Sequence, residues 1–443
     1  MEKRGNKHPI IRGVKLAFAL IVLFILGITL YIKLIPDIET VDDSYMRIIQ
    51  REVPEEQNGY LILIQAGQRR EKFKELEGLK DLRELSPSVA AKVKSKYKER
   101  FEIMDRAISL PHTLDPDIAS LSYDSPIPPF LSIRQLARMR VALAWLDFQS
   151  GKRQKALNEI LKVLQVGQLM ENSEGTLICH LIGNAIKRDA LQMLYYMFSE
   201  ADIPEETIYE WIQNLKNFSE NTKSLGISFK YEYRFADILI KNPAELDKLV
   251  IDGKRTSHWF LRNSFIRSFI FKPNKTRKSF LDYYRSIIES VGKYYNEINL
   301  VEPSFFALNS QWGIVKSFLK GNLIGETIMA ITIPNFNTVL ERRCYTDLLV
   351  ESSRLRLALL AYKQKNGNTP KTLKKLVPEY LTEIPADPFD GKPIRYNQEK
   401  NILYSVGKNI IDDGGDSKYF VFIDLKISNW IDEKDFVMKI EPK

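Results

Sequence analysis

The chain has 443 residues, of which 44% are apolar and 27% charged, and this balance excludes an intrinsically disordered protein. Two cysteines, Cys179 and Cys344, are too few for a disulfide framework or a four-thiolate metal site, and two buried thiols or one long-range bridge remain as alternatives. The formal net charge is +9, and about half of it lies in residues 1–34, which carry six Lys or Arg and one acid. Because this basic excess flanks an apolar segment, we interpret it as an orientation signal and exclude nucleic acid as a partner.

The first predicted element is a membrane span over residues 13–35. From Leu16 to Ile32 every residue is apolar except Gly27, Thr29 and Tyr31, which is long enough to cross a hydrocarbon core. A cleavable signal peptide is the alternative, but no small-x-small cleavage pattern follows the apolar run. The positive-inside rule predicts a cytoplasmic tail over residues 1–12. We therefore expect a single-pass membrane protein with its bulk extracytoplasmic.

Residues 36–330 are predicted to form an all-α extracytoplasmic domain, because apolar positions recur at three- and four-residue spacing. The clearest part is a pair of helices over residues 131–169, broken at Gly151-Lys152, with a third helix from Thr176 to Phe198. The small Ala156 after the break is typical of tetratricopeptide-like units, and a plain helical hairpin is the alternative. The aromatic and basic segment from Trp259 to Arg285 is either a membrane-surface helix or a core helix with snorkelling cations.

The pattern changes over residues 335–443, where we expect an α+β domain. One long amphipathic helix is predicted to begin near Asn335 and to end at Asn366-Gly367, a favourable left-handed cap. A turn over residues 387–391 follows, and residues 393–396 and 402–406 are spaced as a strand pair. Further strands are predicted over residues 419–425 and 436–440. The fold class is therefore mainly α, with a small antiparallel sheet packed on the long helix at the C-terminus.

This region also carries a recognisable order of motifs. The segments LRLALLAYKQKNGNTPKTLKKLVPEYLTEIPADPFDGKPIRY and LYSVGKNIIDDGGD resemble the globular domain of the type II secretion major pseudopilin family over about residues 345–425. In that family a spine helix ends in Tyr-x(3)-Asn-Gly, and a Leu-Val-Pro segment, a Pro-x-Asp-Pro turn and a Tyr-Ser-x-Gly strand follow it. The resemblance implies the same fold here, a place in the bacterial inner (cytoplasmic) membrane with the bulk of the chain periplasmic or otherwise extracytoplasmic, and partners among secretion or pilus-type proteins.

In that family the loop after the Tyr-Ser-x-Gly strand binds Ca²⁺. The resemblance therefore implies four side-chain metal ligands at the corresponding positions: Asn409, Asp412, Asp413 and Asp416. The backbone carbonyl of Val406 would be a further oxygen donor. Carboxylate and carbonyl oxygens suit a hard cation. Asn409 replaces the usual aspartate, Ile410 replaces a glycine, and a solvated acidic turn without metal is the alternative.

The N-terminus departs from the family. Pseudopilins place the spine helix directly after a short leader with a Gly-Phe cleavage point and a glutamate early in the mature chain. Here Gly13 is followed by Val14, the apolar run contains no glutamate, and a long region separates it from the pseudopilin-like helix. The sequence therefore predicts a pseudopilin-like head joined to a membrane-tethered helical domain, and excludes a standard filament subunit.

No motif of a known catalytic centre is found. The four histidines lack zinc-site spacing, and there is no nucleophile elbow, phosphate-binding loop or dinucleotide fingerprint. The match of Ser95 and Lys98 to Ser-x-x-Lys is expected by chance in a lysine-rich helix. We therefore predict a non-enzymatic interaction or scaffold protein associated with secretion or pilus-like machinery. The alternatives are an envelope hydrolase with an unrecognised carboxylate site in the helical domain, and a calcium-stabilised scaffold unrelated to secretion.

Overall fold

The structure is a computed structural model. It describes residues 8–49, 51–68, 73–118, 120, 125–200, 202–218, 222–243, 250–251, 254–255, 263–301, 311–333, 336–417, 420–422 and 434–441. Within these ranges the protein is mainly helical, as the sequence predicts. The helices are α1 (His8–Leu34), α2 (Gly59–Gly67), α3 (Pro87–Ile108), α4 (Phe130–Gln149), α5 (Arg153–Asn172), α6 (Leu177–Glu200), α7 (Glu205–Lys216), α8 (Thr222–Lys241), α9 (Ser264–Ile270), α10 (Pro273–Ile288), α11 (Gln311–Leu319), α12 (Leu323–Thr332) and α13 (Phe336–Asn366).

The strands are short and antiparallel. β1 (Val250–Ile251) pairs with β2 (Lys254–Arg255), and a three-stranded sheet has the order β3 (Arg395–Asn397), β4 (Ile402–Ser405), β5 (Phe436–Lys439). The predicted pair over residues 393–396 and 402–406 and the strand over residues 436–440 are confirmed. Of the strand predicted over residues 419–425, only residues 420–422 lie in the described part, where Phe420 forms an isolated bridge with Val437.

The chain divides into two compact units, each built from separated segments of the sequence. Unit 1 comprises residues 1–47, 232–286 and 300–334, and unit 2 comprises residues 48–231, 287–299 and 335–443. The C-terminal segment and most of the helical region therefore share unit 2. The boundaries of the predicted domains stay a prediction.

In unit 1, α1 contains a stretch long and apolar enough to cross a membrane, Ala17–Leu34, and most of its side chains are exposed. Directly after it, the Asp37 carboxylate accepts hydrogen bonds from the backbone N–H groups of Asn274 and Lys275, both at 2.9 Å. These two residues lie in the first turn of α10, where N–H groups lack helical partners. A side-chain acceptor at this position also complements the helix dipole. The exit from α1 is thereby joined to the helical part of unit 1.

In unit 2, α4 and α5 form the predicted hairpin around Gly151, whose φ of +82° suits glycine. The predicted third helix is α6, which packs on both. A Cβ added to Gly183 of α6 would lie 2.6 Å from the Gly167 carbonyl oxygen of α5. Because these two residues are glycines, the backbones of α5 and α6 can come into direct contact where the helices cross. The tetratricopeptide-like character of the hairpin stays a prediction.

The long helix α13 ends at Asn366 and is followed by Gly367 with φ +79°, as predicted. The expectation that it is amphipathic is wrong, because its buried residues include consecutive positions all round its middle. It packs against α6 and α7 as well as against the sheet. Two arginines of this helix, Arg343 and Arg356, are buried as well.

The segment from Trp259 to Arg285 is described from residue 263 onward and forms two helices rather than one. α9 ends at Ile270, and Pro273 begins α10, because proline is compatible with the first turn of a helix.

Candidate functional site

The turn over residues 387–391 is organised by one buried carboxylate. Asp387 Oδ1 accepts hydrogen bonds from the Phe389 N–H at 3.0 Å and the Ser405 hydroxyl at 2.8 Å, and Oδ2 accepts from the Val406 N–H at 3.2 Å. Arg395 Nη1 donates to the same Oδ2 at 2.7 Å. Asp387 therefore ties the turn to the end of β4. Burial is the largest effect on its carboxyl and raises its pKa above the ordinary value.

Arg395 of β3 extends this network toward the acidic loop. Its guanidinium donates to Asp390 as well as to Asp387, and its Nε lies 3.6 Å from Asp412 Oδ2. The Arg395 guanidinium therefore lies close to three carboxylates, those of Asp387, Asp390 and Asp412. Burial acts to lower its pKa, but the hydrogen bonds to Asp390 and the nearby negative charges outweigh this effect, and the pKa is raised.

The four residues predicted to bind Ca²⁺ lie in the loop after β4. Asn409 Oδ1 accepts the Ile411 N–H at 3.0 Å, and Asp412 Oδ1 accepts the Gly414 N–H at 3.0 Å. The amide of Asn409 faces the Asp413 carboxylate at 3.4 Å. Asp416 is exposed and lies 3.7 Å from Lys434 Nζ. Most of these oxygens therefore already accept hydrogen bonds or face cations within the protein.

The loop is closed by a residue that the sequence analysis did not single out, Asp435, just before β5. Its Oδ2 accepts the Gly415 N–H at 2.7 Å and its Oδ1 accepts the Asp413 N–H at 3.4 Å. Asp435 is buried, and burial, with the charges of Asp413 and Asp412, raises its pKa above the ordinary value. Three carboxylates thus crowd one short loop.

Among the described residues, this arrangement does not form a complete coordination sphere for a metal ion. Within the described ranges, no group of three or more His, Cys, Asp or Glu side chains is placed to hold a metal ion. The carboxylate oxygens of Asp435, and one of Asp412, are committed to backbone N–H groups. A calcium ion at this loop would share these oxygens with the backbone N–H groups or displace those groups, and the calcium site stays a prediction.

A second polar cluster lies inside the helical part of unit 2. The Tyr60 hydroxyl donates to Asp115 Oδ2 at 2.9 Å, and Cys179 Sγ lies 3.2 Å from the Ser173 hydroxyl. Both cysteines are buried and free, so no bridge joins Cys179 to Cys344. Burial raises the pKa of the Cys179 thiol to about 12, which keeps it protonated and unreactive at neutral pH.

Next to this cluster, Lys187 and Glu171 form a fully buried ion pair. Lys187 Nζ lies 2.5 Å from Glu171 Oε2 and donates to the Phe218 carbonyl at 2.8 Å. His180, beside Cys179 in the sequence, is buried with Nδ1 3.4 Å from the Glu171 carbonyl oxygen. These groups lie in the packed interior between α5 and α6, which suits a structural role.

Carboxylates also line a cavity of about 440 Å³ in unit 2. Glu200, Asp202 and Glu441 are among its lining residues, and Glu441 is paired with Lys363 at 2.6 Å. This volume lies within the range of small-molecule sites. The catalytic carboxylates of an unrecognised hydrolase site would be sought in this cavity.

Sequence reasoning found the turn and loop but missed the residues that hold them. Asp387 had a signal, since it is the aspartate of the Pro-x-Asp-Pro motif. No comparable sequence signal pointed to Asp435, because it lies in a segment of mixed acidic and basic residues. Its partners Asp413 and Gly415 are also distant along the chain.

A comparison with protein-family models finds no match, and comparisons with curated proteins and with solved structures find none either.

Proposed function

We propose that this chain is a single-pass membrane protein that holds its C-terminal segment, residues 335–443, at the extracytoplasmic face of the bacterial inner membrane. There the segment acts as an interaction module for secretion or pilus-type machinery. The role is that of a scaffold, in which α1 provides the anchor and unit 2 the contact surfaces.

The observation that carries the proposal is the exposed apolar length of α1. Ala17–Leu34 leaves large side chains such as Phe18, Leu23 and Phe24 without protein cover. In water such a surface would be strongly unfavourable, whereas a bilayer solvates it. The basic residues before it in the sequence and the acidic residues after it support the proposed orientation.

The order of elements after residue 336 supports the pseudopilin-like part. A long helix ends at a glycine, and a turn held by Asp387, a strand containing Tyr404 and Ser405, and a loop containing Gly407 follow it in the order that the resemblance implies. The helix that would pack against neighbouring subunits in a filament is covered here by α6 and α7 of the same chain. This arrangement favours a tethered partner of such machinery over a subunit of a fibre.

Site-specific photocrosslinking in the source cells tests the proposed partner class. p-Benzoylphenylalanine at the exposed loop position Ile411 should yield an adduct with a secretion or pilus-type component. The same probe at Leu131, an exposed position on α4, is the control. Adducts confined to unrelated proteins, or no adduct from the loop, would contradict the proposed partner class.

The predicted calcium site has its own test in the full-length chain in detergent. A ligand that binds only the folded state raises the Tm by mass action. A saturable rise with millimolar Ca²⁺ that is lost in the Asp412→Ala, Asp413→Ala double variant would support it. An unchanged Tm would leave the loop as a turn without metal.

The alternative function, an envelope hydrolase, has its place in the cavity that contains Glu200, Asp202 and Glu441. Replacement of Glu200 and Asp202 by their amides would abolish any hydrolytic activity found in the purified protein. Such an activity, lost in these variants and kept in Glu56→Gln, would displace the scaffold proposal.

A further inference from the structure

The short helix α11 in unit 1 has an unusual surface. Trp312 is 82% exposed, and four further large apolar side chains of this helix are exposed: Ile314, Val315, Phe318 and Leu319. Single exposed apolar residues are normal on soluble proteins, but a contiguous group with a bare tryptophan marks an interaction surface.

The position of α11 indicates what covers this surface. A Cβ added to Gly321, just after α11, would lie 3.3 Å from Ile32 Cγ2 near the end of the apolar stretch of α1. Tyr31 of α1 and Ile35, just after that helix, line a cavity of about 600 Å³. The same cavity is lined by apolar residues of α11: Trp312, Val315 and Leu319. The apolar surface of α11 is thus continuous with that of α1 at its extracytoplasmic end.

Cations complete the pattern. Lys275, Lys316 and Lys320 line this cavity beside the apolar residues. Tryptophan and lysine together are typical of the membrane–water interface, where the ring lies at headgroup level and the ammonium reaches lipid phosphates. Each lysine near an anionic surface adds to the attraction.

We propose that α11 lies in the headgroup region of the membrane that α1 spans, with Trp312, Val315 and Leu319 inserted and Lys316 and Lys320 at lipid phosphates. This inference rests on the proposed membrane anchoring and adds a second contact to it. The contact fixes the orientation of unit 1 on the bilayer, because a spanning helix alone leaves rotation about its axis free.

The test places an environment-sensitive fluorophore at a single position of the full-length chain in lipid vesicles. Trp312→Cys is labelled with a nitrobenzoxadiazole maleimide, since both native cysteines are buried. Ser88→Cys, an exposed position on α3, is the control. Vesicles contain zwitterionic lipid alone or with phosphatidylglycerol, and spin-labelled lipids quench either at headgroup level or at the acyl-chain end.

We expect a blue shift and strong quenching by the headgroup-level label at position 312, and neither at the control. Phosphatidylglycerol should strengthen the effect, and Lys316→Gln with Lys320→Gln should remove that increment. Emission at position 312 equal to the control would overturn the inference. Extraction at alkaline pH separates the two failures: a chain that stays in the membrane while position 312 is in water contradicts the inference alone, and a chain that is extracted contradicts the proposed anchor.

An independent feature of unit 2 is a cavity of about 220 Å³ lined by basic side chains. Arg134 and Arg138, one turn apart on α4, face Asp189 of α6 at the long distances of 3.6 and 3.9 Å. Arg188 and Lys80 also line it. No hydrogen bond joins Arg188 to another described residue, and Asp81, a second acid of the lining, is already held by Arg83 at 2.6 Å.

Cationic charge therefore exceeds anionic charge among the described residues of this cavity. Its volume is below the range of about 300–1,000 Å³ for drug-sized ligands, which restricts the ligand to a small group. Guanidinium groups from two helices, α4 and α6, line the cavity, and guanidinium groups bind phosphate-type oxyanions through several N–H donors each. Burial is the largest effect on the Arg188 guanidinium and lowers its pKa despite the nearby Asp189 charge, and a bound anion would add a further negative charge that opposes this effect.

We infer that this cavity binds a phosphate-type oxyanion, with Arg188, Arg134 and Arg138 as its donors. Calorimetric titration of the full-length chain in non-ionic detergent with inorganic phosphate tests it, with acetate at equal ionic strength as comparator. Arg188→Gln should weaken phosphate binding about tenfold or more. Arg106→Gln, an exposed arginine on α3, should leave it unchanged.

A gain-of-binding variant keeps the test independent of folding. Asp189→Asn removes the competing carboxylate and should tighten phosphate binding. Absence of saturable binding, equal weakening by Arg106→Gln, or weaker binding in a folded Asp189→Asn protein would overturn the inference. Equal binding of acetate would contradict the tetrahedral ligand class.

Discussion

The Asp435 carboxylate accepts the backbone N–H of Gly415 at 2.7 Å, which joins the residue before the last strand of the sheet to the acidic loop after β4. The neighbouring oxygen accepts the Asp413 N–H. The conformation of the loop is therefore set by a partner that lies far along the chain.

Removal of this acceptor should destabilise the protein. Asp435→Ala leaves two backbone N–H groups without their partner, and we expect a loss of about 2–3 kcal/mol in the free energy of unfolding. Asp416→Ala removes only an exposed ion pair with Lys434 and should change stability by less than about 0.5 kcal/mol. Chemical denaturation of both variants measures the difference, and equal effects would show that Asp435 does not hold the loop.

The same carboxyl should make stability depend on pH. Its pKa is raised in the folded state by burial and by the charges of Asp413 and Asp412, so the folded protein binds this proton more tightly than the unfolded chain. Its contribution is complete below the unfolded pKa of about 3.9 and is lost as the pH rises through the folded pKa. The stability of the wild type relative to Asp435→Asn should fall over this window, and a flat difference would contradict the shift.

The close contact between α5 and α6 can be tested with a matched pair of glycine substitutions. Gly183→Ala would place a Cβ 2.6 Å from the Gly167 carbonyl oxygen, and we expect a loss of about 2 kcal/mol or more. Among the described residues, a Cβ at Gly226 of α8 meets only Ile288 Cγ2, at 3.7 Å, so Gly226→Ala should be neutral or stabilise by about 0.5–1 kcal/mol. Thermal unfolding of both variants decides, and a tolerated Gly183→Ala would contradict the close crossing.

The buried pair of Lys187 and Glu171 should behave as a unit. Lys187→Met or Glu171→Leu alone leaves an uncompensated buried charge and should cost about 3–5 kcal/mol. The double variant should recover a large part of that loss. A double-mutant cycle measures the coupling, and additive losses would show that the two charges do not compensate each other.

Local sequence signals predicted the parts of the fold that depend on neighbours in the chain. The long apolar helix α1, the Gly151 break between α4 and α5, the end of α13 at Gly367 and the β3–β4 pair belong to this class. Hydrophobic periodicity and turn-forming residues can be recognised within short stretches of sequence, and these elements follow from such local patterns.

Long-range partners explain what the sequence could not predict. The sequence predicts that α13 is amphipathic, but Arg356 of this helix is buried, and its Nε donates to the Ile440 carbonyl and its Nη2 to the Ser199 hydroxyl, both at 2.7 Å. Burial lowers the pKa of Arg356 to about 10, which still leaves the guanidinium charged at neutral pH. Only the folded chain brings such acceptors to α13, and Asp435 was missed for the same reason.

Membrane topology of the full-length chain is the property on which the proposed function depends most. Ser88→Cys and Asn6→Cys are treated separately with a membrane-impermeant maleimide in spheroplasts, and the buried native cysteines are expected to stay unlabelled. An extracytoplasmic scaffold predicts labelling at position 88 in intact spheroplasts and at position 6 only after lysis. Labelling at position 88 only after lysis, or recovery of the chain in the soluble fraction, would contradict a membrane-anchored extracytoplasmic scaffold.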